Sequence, residues 1–547
     1  MTASRRLLIW RLALLVLAAL TAWILLRNAW VVDDAYITFR TVDNFLGGHG
    51  LTWNIAERVQ VYTHPLWMFM MSGAAALTGG EVFFTSIVVS LLLAMGAWAV
   101  LAWSLSPGLR ERVWQPALLL LVMVAGKAIV DYAGSGLENA LTYFIAALFL
   151  ARLLAFEDTG DVQADRRLGV LFLLACLAFL NRMDNLLLFM PVLLWLLWNG
   201  RGHWSRRRLG LLALAVSPAV LWELFSLWYY GYPFPNTAYA KLLSVDFPWT
   251  WKVHRGWDYL VNSLSWDPAS WLVLLGAVVV TWLARSRRLG WVLAGVWLYV
   301  AYVVFSAASA THMSGRFFAL PLFMAGFVFV RGIRWTRLAQ VTTVCLLLVV
   351  VISPISNLKF GTSLYKVRTE HHSAIDTKQN VLASGAAFLA WQPGVAMPDD
   401  EWYRYGLAFR GAPQKVHLGG AFHGEPIGYM AYASGPRKYV IDVVGLGDPL
   451  LSRLPARVPE RFEDWKSGHF HRDVPQGYIE TLVDGGNRLE DVNLARYYDS
   501  VLEITRGDLG SWSRLGVIWN MNIGRYQELV RDYEARRKVL EARARLE

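Results

Sequence analysis

Long apolar stretches alternate with short polar ones through the first two thirds of the chain, and the rhythm then stops. Apolar runs occupy about residues 7–26, 82–104, 114–131, 137–155, 168–181, 185–198, 209–229, 270–284, 289–307, 317–331 and 338–357. They predict eleven membrane helices, several of them short against the roughly 20 residues that a bilayer requires. The stretch 65–78 is apolar for only 14 residues, the length of an interfacial or re-entrant segment rather than a crossing. After residue 357, Pro, Gly, His and charged residues become frequent, and short β-rich pieces such as RKYVIDVVG lie among turn signals. The pattern predicts a polytopic α-helical membrane region over 1–357, with a first outer loop at 28–81. A mixed α/β extracytoplasmic domain follows over 358–547 and ends in a charged helix near 523–546. A segment of that length can bury a core of its own.

Composition agrees with this reading. Of 547 residues, 56% are hydrophobic and 27 are Trp, and the mean hydropathy is +0.36, too apolar for a soluble protein. The formal charge of +11 raises the prospect of nucleic acid. The basic residues, however, cluster in short loops between apolar runs, where they set topology, so a nucleic-acid partner is rejected. The cysteines, Cys176 and Cys345, both lie in apolar segments and suggest neither a disulfide framework nor a cysteine-ligated metal. Arg5 and Arg6 precede the first run without a small-residue cleavage site after it, which predicts an uncut anchor with a cytoplasmic N-terminus.

The loop charges fix an expected orientation in the cytoplasmic membrane. Arg206, Arg207 and Arg208, then Arg285, Arg287 and Arg288, then Arg331, Arg334 and Arg337 mark three short loops separated by pairs of runs, which places all three in the cytoplasm. Residues 28–81 then face outward only if 65–78 does not cross. On that reading the loops at Glu138, at Arg182 and Asp184, at 230–269, and at His312 and Arg316 share the outer face with the tail.

The outer face carries the candidate chemistry. DDAYITFR at 33–40 sets two adjacent carboxylates at the mouth of a membrane helix, a placement too costly to serve structure alone. Ala35, Phe39, Val42 and Leu46 recur at helical spacing, and Gly47 and Gly48 follow. Residues 34–46 therefore read as an amphipathic helix lying on the membrane, with Asp33 and Arg40 on its other face. Asp33 alone could be an N-cap, but a cap needs one carboxylate and Asp34 would remain. Residues 47–67, GGHGLTWNIAERVQVYTHPLW, contain neither a dinucleotide fingerprint nor a P-loop. Asn54, Glu57, Arg58 and His64 there suit a hydroxylated or anionic ligand, although solvated loop residues look the same.

Taken together, DDAYITFR, NFLGGHGLTWNIAERVQVYTHPLW, GLEN at 136–139, YYGYPFPNTAYAK at 229–241 and HMSGRFFALP at 312–321 resemble the polyprenyl-phosphate-dependent GT-C glycosyltransferases. The most similar subgroup contains the mycobacterial terminal β-arabinofuranosyltransferase and the pseudomonad pilin arabinofuranosyltransferase. The tail stretches DVVGLGDPLLSRLP (442–455) and GHFHRDVPQGY (468–478) are similar to those of uncharacterised bacterial members.

The resemblance implies a polyprenyl-phosphate-linked sugar as donor and an envelope glycan or glycoprotein as acceptor. Physics points the same way, because nucleotide sugars stay in the cytoplasm and an outward-facing transferase needs its sugar carried across on a lipid. By resemblance, Asp33 or Asp34 is the base, with Asp33 slightly preferred, and the other holds the sugar or a divalent cation, Mg, Mn or Ca. Arg40, Arg58, Lys241, His312 and Arg316 are implied candidates for the donor phosphate. Arg316 is favoured among them because a guanidinium grips phosphate bidentately, and Lys241 alternatively anchors headgroups. Asn54, Glu57, His64, Glu138 and Asn236 are implied substrate contacts. Asn236 could instead cap its turn, and Glu138 could be a first-turn carboxylate favoured by the helix dipole.

Local pairing explains Arg182 with Asp184 and Lys127 with Asp131. The tail histidines His371, His372, His417, His423, His469 and His471 lack zinc spacing, and tail Trp391, Trp402, Trp465 and Trp512 do not require a carbohydrate role. A transporter of an envelope precursor is the alternative function.

Overall fold

The computed structural model describes residues 3–544 apart from 108–112, 244–246, 307–314, 334–336, 353–355, 359–369, 372–373, 376–384, 421–425, 460 and 466–467. Each of the eleven apolar runs carries a helix, since a backbone in hydrocarbon must satisfy its own N–H and C=O groups. In order these are α1 (Ala3–Arg27), α2 (Asp33–Leu46), α3 (Pro65–Leu77), α4 (Phe83–Leu105), α5 (Trp114–Ala125), α6 (Lys127–Ala133), α7 (Asn139–Leu154), α8 (Val162–Asn181), α9 (Leu186–Asn199), α10 (Arg206–Tyr229), the single turn α11 (Asn236–Ala238), α12 (Trp249–Trp266), α13 (Pro268–Ala284), α14 (Arg287–Ser306), α15 (Ala319–Gly332) and α16 (Arg337–Ile352). Of these, α2, α3, α11 and α12 lie outside the eleven runs. The chain is a polytopic helical membrane protein.

Three features differ from the sequence reading. Among the described residues, four helices are individually long and apolar enough to cross, namely Leu7–Arg27, α4, α10 and α14. The number rises to six if the bent pairs α5–α6 (83°) and α12–α13 (99°) each count as one span. The run 114–131 is broken at Gly126, whose extended backbone (φ −74°, ψ 108°) ends α5 and starts α6. The stretch 230–269, read as a loop, contains the amphipathic α12, whose charged residues mask its period. Finally, α2 does not lie on a membrane surface. Tyr36, Thr38, Arg40 and Thr41 are buried along with Ala35, Phe39 and Val42, so both faces of α2 are enclosed by protein.

Two compact units draw on interleaved segments. The first comprises 1–35, 64–219 and 248–400, and the second 36–63, 220–247 and 401–547, so each takes residues from both sides of position 357. In the first unit, α4 packs on α7, α13 on α15, and α14 on α9. Close approach depends on glycine there. A Cβ at Gly295 of α14 would stand 2.0 Å from the Leu188 carbonyl oxygen of α9, and one at Gly256 of α12 would stand 1.9 Å from the Val304 oxygen of α14.

The second unit is largely helical, with helices at Glu401–Gly411, Ile427–Ser434, Tyr478–Asp484, Val492–Arg506, Trp512–Asn522 and Gln527–Ala544. Its strands Val416–Gly419 and Tyr439–Asp442 pair in parallel, with Val416 opposite Tyr439 and Gly419 opposite Asp442. One core joins Leu450, Leu451, Tyr478, Leu494, Tyr498 and Val501. Another gathers Ile37, Trp53, Val59 and Val61 against Ile427, Met430 and Val440.

Candidate active site

The acidic pair follows an extended segment clamped along two edges. Trp30 N–H donates to the Gly134 oxygen (2.9 Å) and Val32 N–H to that of Ser135 (3.1 Å), while Val31 N–H donates to Ala386 O (3.1 Å) and Phe388 N–H to Ala29 O (2.9 Å). Trp30 and Ala387 form an antiparallel bridge. This clamp brings the loop ahead of α7 against the start of α2. Gly136 is required in that loop, because its φ of +74° suits glycine and a Cβ there would meet Val31 Cγ1 at 2.7 Å and Ala35 Cβ at 3.2 Å. The Trp67 indole N–H also donates to the Gly136 oxygen, at 3.1 Å.

Asp33 and Asp34 open α2 and are half-buried. Arg316 reaches Asp34 from the 3₁₀ turn Arg316–Phe318 before α15, with Nη1 3.5 Å from Oδ2. Its Nη2 lies 3.2 Å from both Glu138 oxygens. Glu138 is fully buried and also meets Arg182 Nη1 at 3.3 Å and His64 Nδ1 at 3.6 Å. Arg182 in turn pairs with Asp184 (2.8 and 2.6 Å), which accepts the Tyr299 hydroxyl at 2.9 Å. Tyr259 accepts the Phe317 N–H at 3.2 Å and so fixes the turn that carries Arg316. A buried carboxylate is tolerable only when paired and hydrogen-bonded, and Glu138 meets that condition with two guanidiniums. Its side chain caps no helix.

Burial pushes the His64 imidazole down to about 4, with Glu138 opposing and Arg316 and Arg182 reinforcing the shift. His64 is therefore neutral at physiological pH and does not add positive charge.

The structure thus brings together Asp34, His64, Glu138 and Arg316, with Asp33 adjacent, and adds Arg182, Asp184, Tyr259 and Tyr299. Arg182 and Asp184 make the local pair foreseen from sequence, but Arg182 also reaches Glu138. The two tyrosines sit in apolar or amphipathic helices without a distinguishing sequence signal.

The remaining described candidates, Arg40, Asn54, Glu57, Arg58, Asn236 and Lys241, lie in the second unit. Arg40 gives its guanidinium to the Trp53 oxygen (2.7 Å), the Lys438 oxygen (2.7 Å), Asn54 Oδ1 (3.4 Å), Ser434 Oγ (3.2 Å) and the Ala431 oxygen. With five N–H donors facing five acceptors, it is a structural cross-link rather than a phosphate ligand. Arg58 donates to the Ile504 and Gly507 oxygens, which likewise removes it from the phosphate role. Asn54 mimics a neighbouring strand, donating to Val440 O (3.0 Å) and accepting from Val440 N–H (3.1 Å). Glu57 accepts the Tyr439 hydroxyl at 2.6 Å and meets Arg506 at 3.4 Å, and its burial raises the carboxyl's pKa against the pull of Arg506.

Asn236 donates to the Gly445, Leu446 and Asp448 oxygens at 2.9 to 3.1 Å and accepts from Ser452 and Arg453. It therefore pins the DVVGLGDP turn instead of holding a sugar. Lys241 lies in the π-helical turn Tyr239–Leu243 beside Gly468. His312, His372 and His423 fall outside the described residues. Among the described residues, no group of three or more His, Cys, Asp or Glu side chains converges as a metal site would require.

No protein-family model matches the chain. It is 28% identical over 363 residues to the terminal β-(1→2)-arabinofuranosyltransferase of Mycobacterium tuberculosis, covering 63% of this chain and 56% of that protein. To the enzyme of the same name from Corynebacterium glutamicum it is 27% identical over 358 residues, covering 56% and 49%. The chain spans about half the length of the curated relatives it matches. Among solved structures, the crystal structure of ArnT from Cupriavidus metallidurans bound to undecaprenyl phosphate aligns with a TM-score of 0.49 at 14% identity, covering 82% of this chain and 89% of that one. The resemblance carried by the membrane motifs thus finds its counterpart in curated sequences, and the chain is similar to terminal arabinofuranosyltransferases.

Proposed function

We propose that the chain is a membrane glycosyltransferase that moves a sugar, arabinofuranose by the similarity of its relatives, from a polyprenyl-phosphate donor to an extracytoplasmic glycan or protein acceptor. The observation that carries this reading is the contact of Asp34 with an arginine that Glu138 already grips from the other side. In glycosyl transfer the acceptor hydroxyl loses a proton as its oxygen attacks the anomeric carbon, and the lipid phosphate leaves with the bonding pair. The first event needs a carboxylate base within hydrogen-bond reach, and the second needs a cation that stabilises developing negative charge.

Arg316 suits the phosphate. Glu138 fixes its orientation, whereas the 3.5 Å contact to Asp34 is longer than a charge-assisted hydrogen bond and can be exchanged for a phosphate oxygen. Asp34 is then the positioning carboxylate and Asp33 the base. Among the described residues Asp33 and Asp34 have no third His, Cys, Asp or Glu beside them to complete a metal site, so the proposed transfer is assigned to the side chains alone.

In our reading all eleven runs lie in or cross the bilayer, and residues 33–64 and 358–547 are extracytoplasmic with Arg206–Arg208 inside. In support, the second unit gathers 36–63, 220–247 and 401–547, of which 36–63, 230–247 and the tail are the parts that the loop charges assign to one face. Cysteine labelling of intact cells tests this, and a position 450 protected by the inner membrane would overturn both the topology and the active site. The transporter alternative draws support from the two sharply bent helix pairs, which resemble the discontinuous helices of transport proteins. One assay separates the two. Purified protein given a synthetic polyprenyl-phosphate arabinofuranose should release polyprenyl phosphate in the presence of acceptor. Release from a soluble nucleotide sugar alone would refute the donor class, and lipid-linked sugar moved across a vesicle without cleavage would favour transport.

A further inference from the structure

We infer that the second unit carries a binding cleft for an acidic oligosaccharide, at a place to which none of the candidate catalytic residues belongs. The cleft has a volume of about 1400 Å³, beyond the roughly 300–1,000 Å³ of pockets for drug-sized ligands, which suits a short polymer better than a single small molecule. One wall is the helix Gln527–Ala544, which turns Gln527, Arg531, Glu534 and Lys538 toward it. Positions three and four apart line one helical face.

The opposite wall is aromatic and preorganised. The Arg453 guanidinium lies 3.8 Å from the Tyr232 ring centroid and 4.7 Å from that of Tyr239, while its Nη1 is anchored on the Asn236, Pro449 and Ser452 oxygens at 2.7 to 2.8 Å. Tyr232 is buried and lines the same cleft beside the Arg453 guanidinium.

The charge pattern selects the class of ligand. Five basic side chains line the cleft against two acidic ones. Asp473 is already held by Arg457 and Arg537, and Glu534 pairs with Arg537 at 3.0 Å. Arg531 and Lys538 are exposed and have no ion-pair partner among the described residues. Aromatic edges beside the fixed Arg453 can pack against sugar C–H groups, the Gln527 amide matches hydroxyls, and the unpaired cations match carboxylates or phosphates along a glycan. A role in holding the acceptor rests on the glycosyltransferase reading. The binding itself does not.

Binding is measured without turnover, so the two ideas can fail separately. Titration calorimetry on the full detergent-solubilised chain would use an oligogalacturonide, a neutral maltooligosaccharide of equal length and a polyglutamate peptide of equal charge. The expected result is saturable binding of the oligogalacturonide, at least about tenfold tighter than either control. The exposed-residue double variant Arg531→Ala/Lys538→Ala should weaken it by about tenfold, and Tyr239→Leu should weaken the sugar more than the peptide. No binding of the oligogalacturonide, equal binding of polyglutamate or of the neutral sugar, or an unchanged affinity in the double variant would each overturn the assignment.

Discussion

Arg316 and Arg40 are nearly equally buried, 9% and 2% exposed, yet they do opposite things because their acceptors differ. In the first unit Arg316 faces carboxylates, whose charge an incoming anion can rival, and one of its contacts is long enough to yield. In the second unit Arg40 faces three main-chain and two neutral side-chain oxygens fixed by the fold, and its burial lowers its pKa to about 9, leaving it a cation at neutral pH. Arg58, Arg472 and Arg514 follow the second pattern, each donating to backbone carbonyls. Arg316 is thus a functional candidate because its charged partners lie at the acidic motif, and Arg40 is a structural fastener; the buried Arg208, paired with Asp158 and Asp165, shows that charged partners alone do not make a site. The contrast also explains why the first-loop polar residues look alike in sequence and separate in space.

The sharpest way to break the contrast is at the acidic pair. Asp33→Asn should lower transfer by roughly 10²- to 10⁴-fold, the usual cost of removing a positioned base, with the thermal midpoint nearly unchanged. Asparagine caps a helix almost as well as aspartate, so full activity in Asp33→Asn/Asp34→Asn would reduce both residues to capping.

Next comes the fastener. Arg40→Met should destabilise the second unit by about 2–4 kcal/mol, read by hydrogen exchange across Trp53 and Lys438. The Trp53 and Ala431 oxygens keep other donors in Asn44 and Ser434, whereas the Lys438 oxygen is left bare. Arg316→Met should leave that exchange pattern alone and abolish donor turnover instead. If Arg40→Met kept its exchange protection and lost only activity, the distinction between the two arginines would fail.

A smaller effect depends on pH. The folded His64 titrates at about 4 and the unfolded one near 6.5. Between those values the unfolded chain binds the extra proton, so this stability is complete above about 6.5 and is lost as pH falls toward 4. The whole window amounts to at most about 3 kcal/mol, and His64→Gln should flatten the thermal midpoint across it. The smallest effect is expected of Tyr299→Phe, which removes one hydrogen bond to Asp184 and should cost about 1 kcal/mol. A loss several times larger would mean that the tyrosine does more than support Arg182.

The sequence carried the eleven apolar runs as helices and the helix at the acidic motif to within one residue, because burial in hydrocarbon leaves a continuous signal. The break at Gly126 stayed hidden, since one glycine inside an apolar run does not interrupt hydropathy. Helix α12 was obscured because Lys252, His254, Arg255 and Asp258 dilute its apolar face. In the sequence, adjacent carboxylates at the mouth of a membrane helix singled out Asp33 and Asp34, whereas Glu138 and Arg316 came from the family resemblance; the structure adds the contacts of Arg316 with Asp34 and Glu138. Asn54, Arg58 and Asn236 could not be resolved the same way, because a polar side chain that bonds the backbone of a distant loop has the same composition as one that waits for a ligand.

The clamp on residues 29–32 has a consequence for the order of assembly. The acidic pair is made near the start of synthesis, but one of its two rails, the carbonyl of Ala386 with the N–H of Phe388, emerges several hundred residues later. At elongation rates of about 5–20 residues per second, the pair waits on the order of tens of seconds before it can be fixed in place. A ribosome-bound or truncated chain ending before residue 385 would hold Asp33, Asp34, His64, Glu138 and Arg316 and still lack a set catalytic geometry. The geometry of the acidic pair would therefore be set only once residues 386–388 have been made, after the membrane helices that precede them.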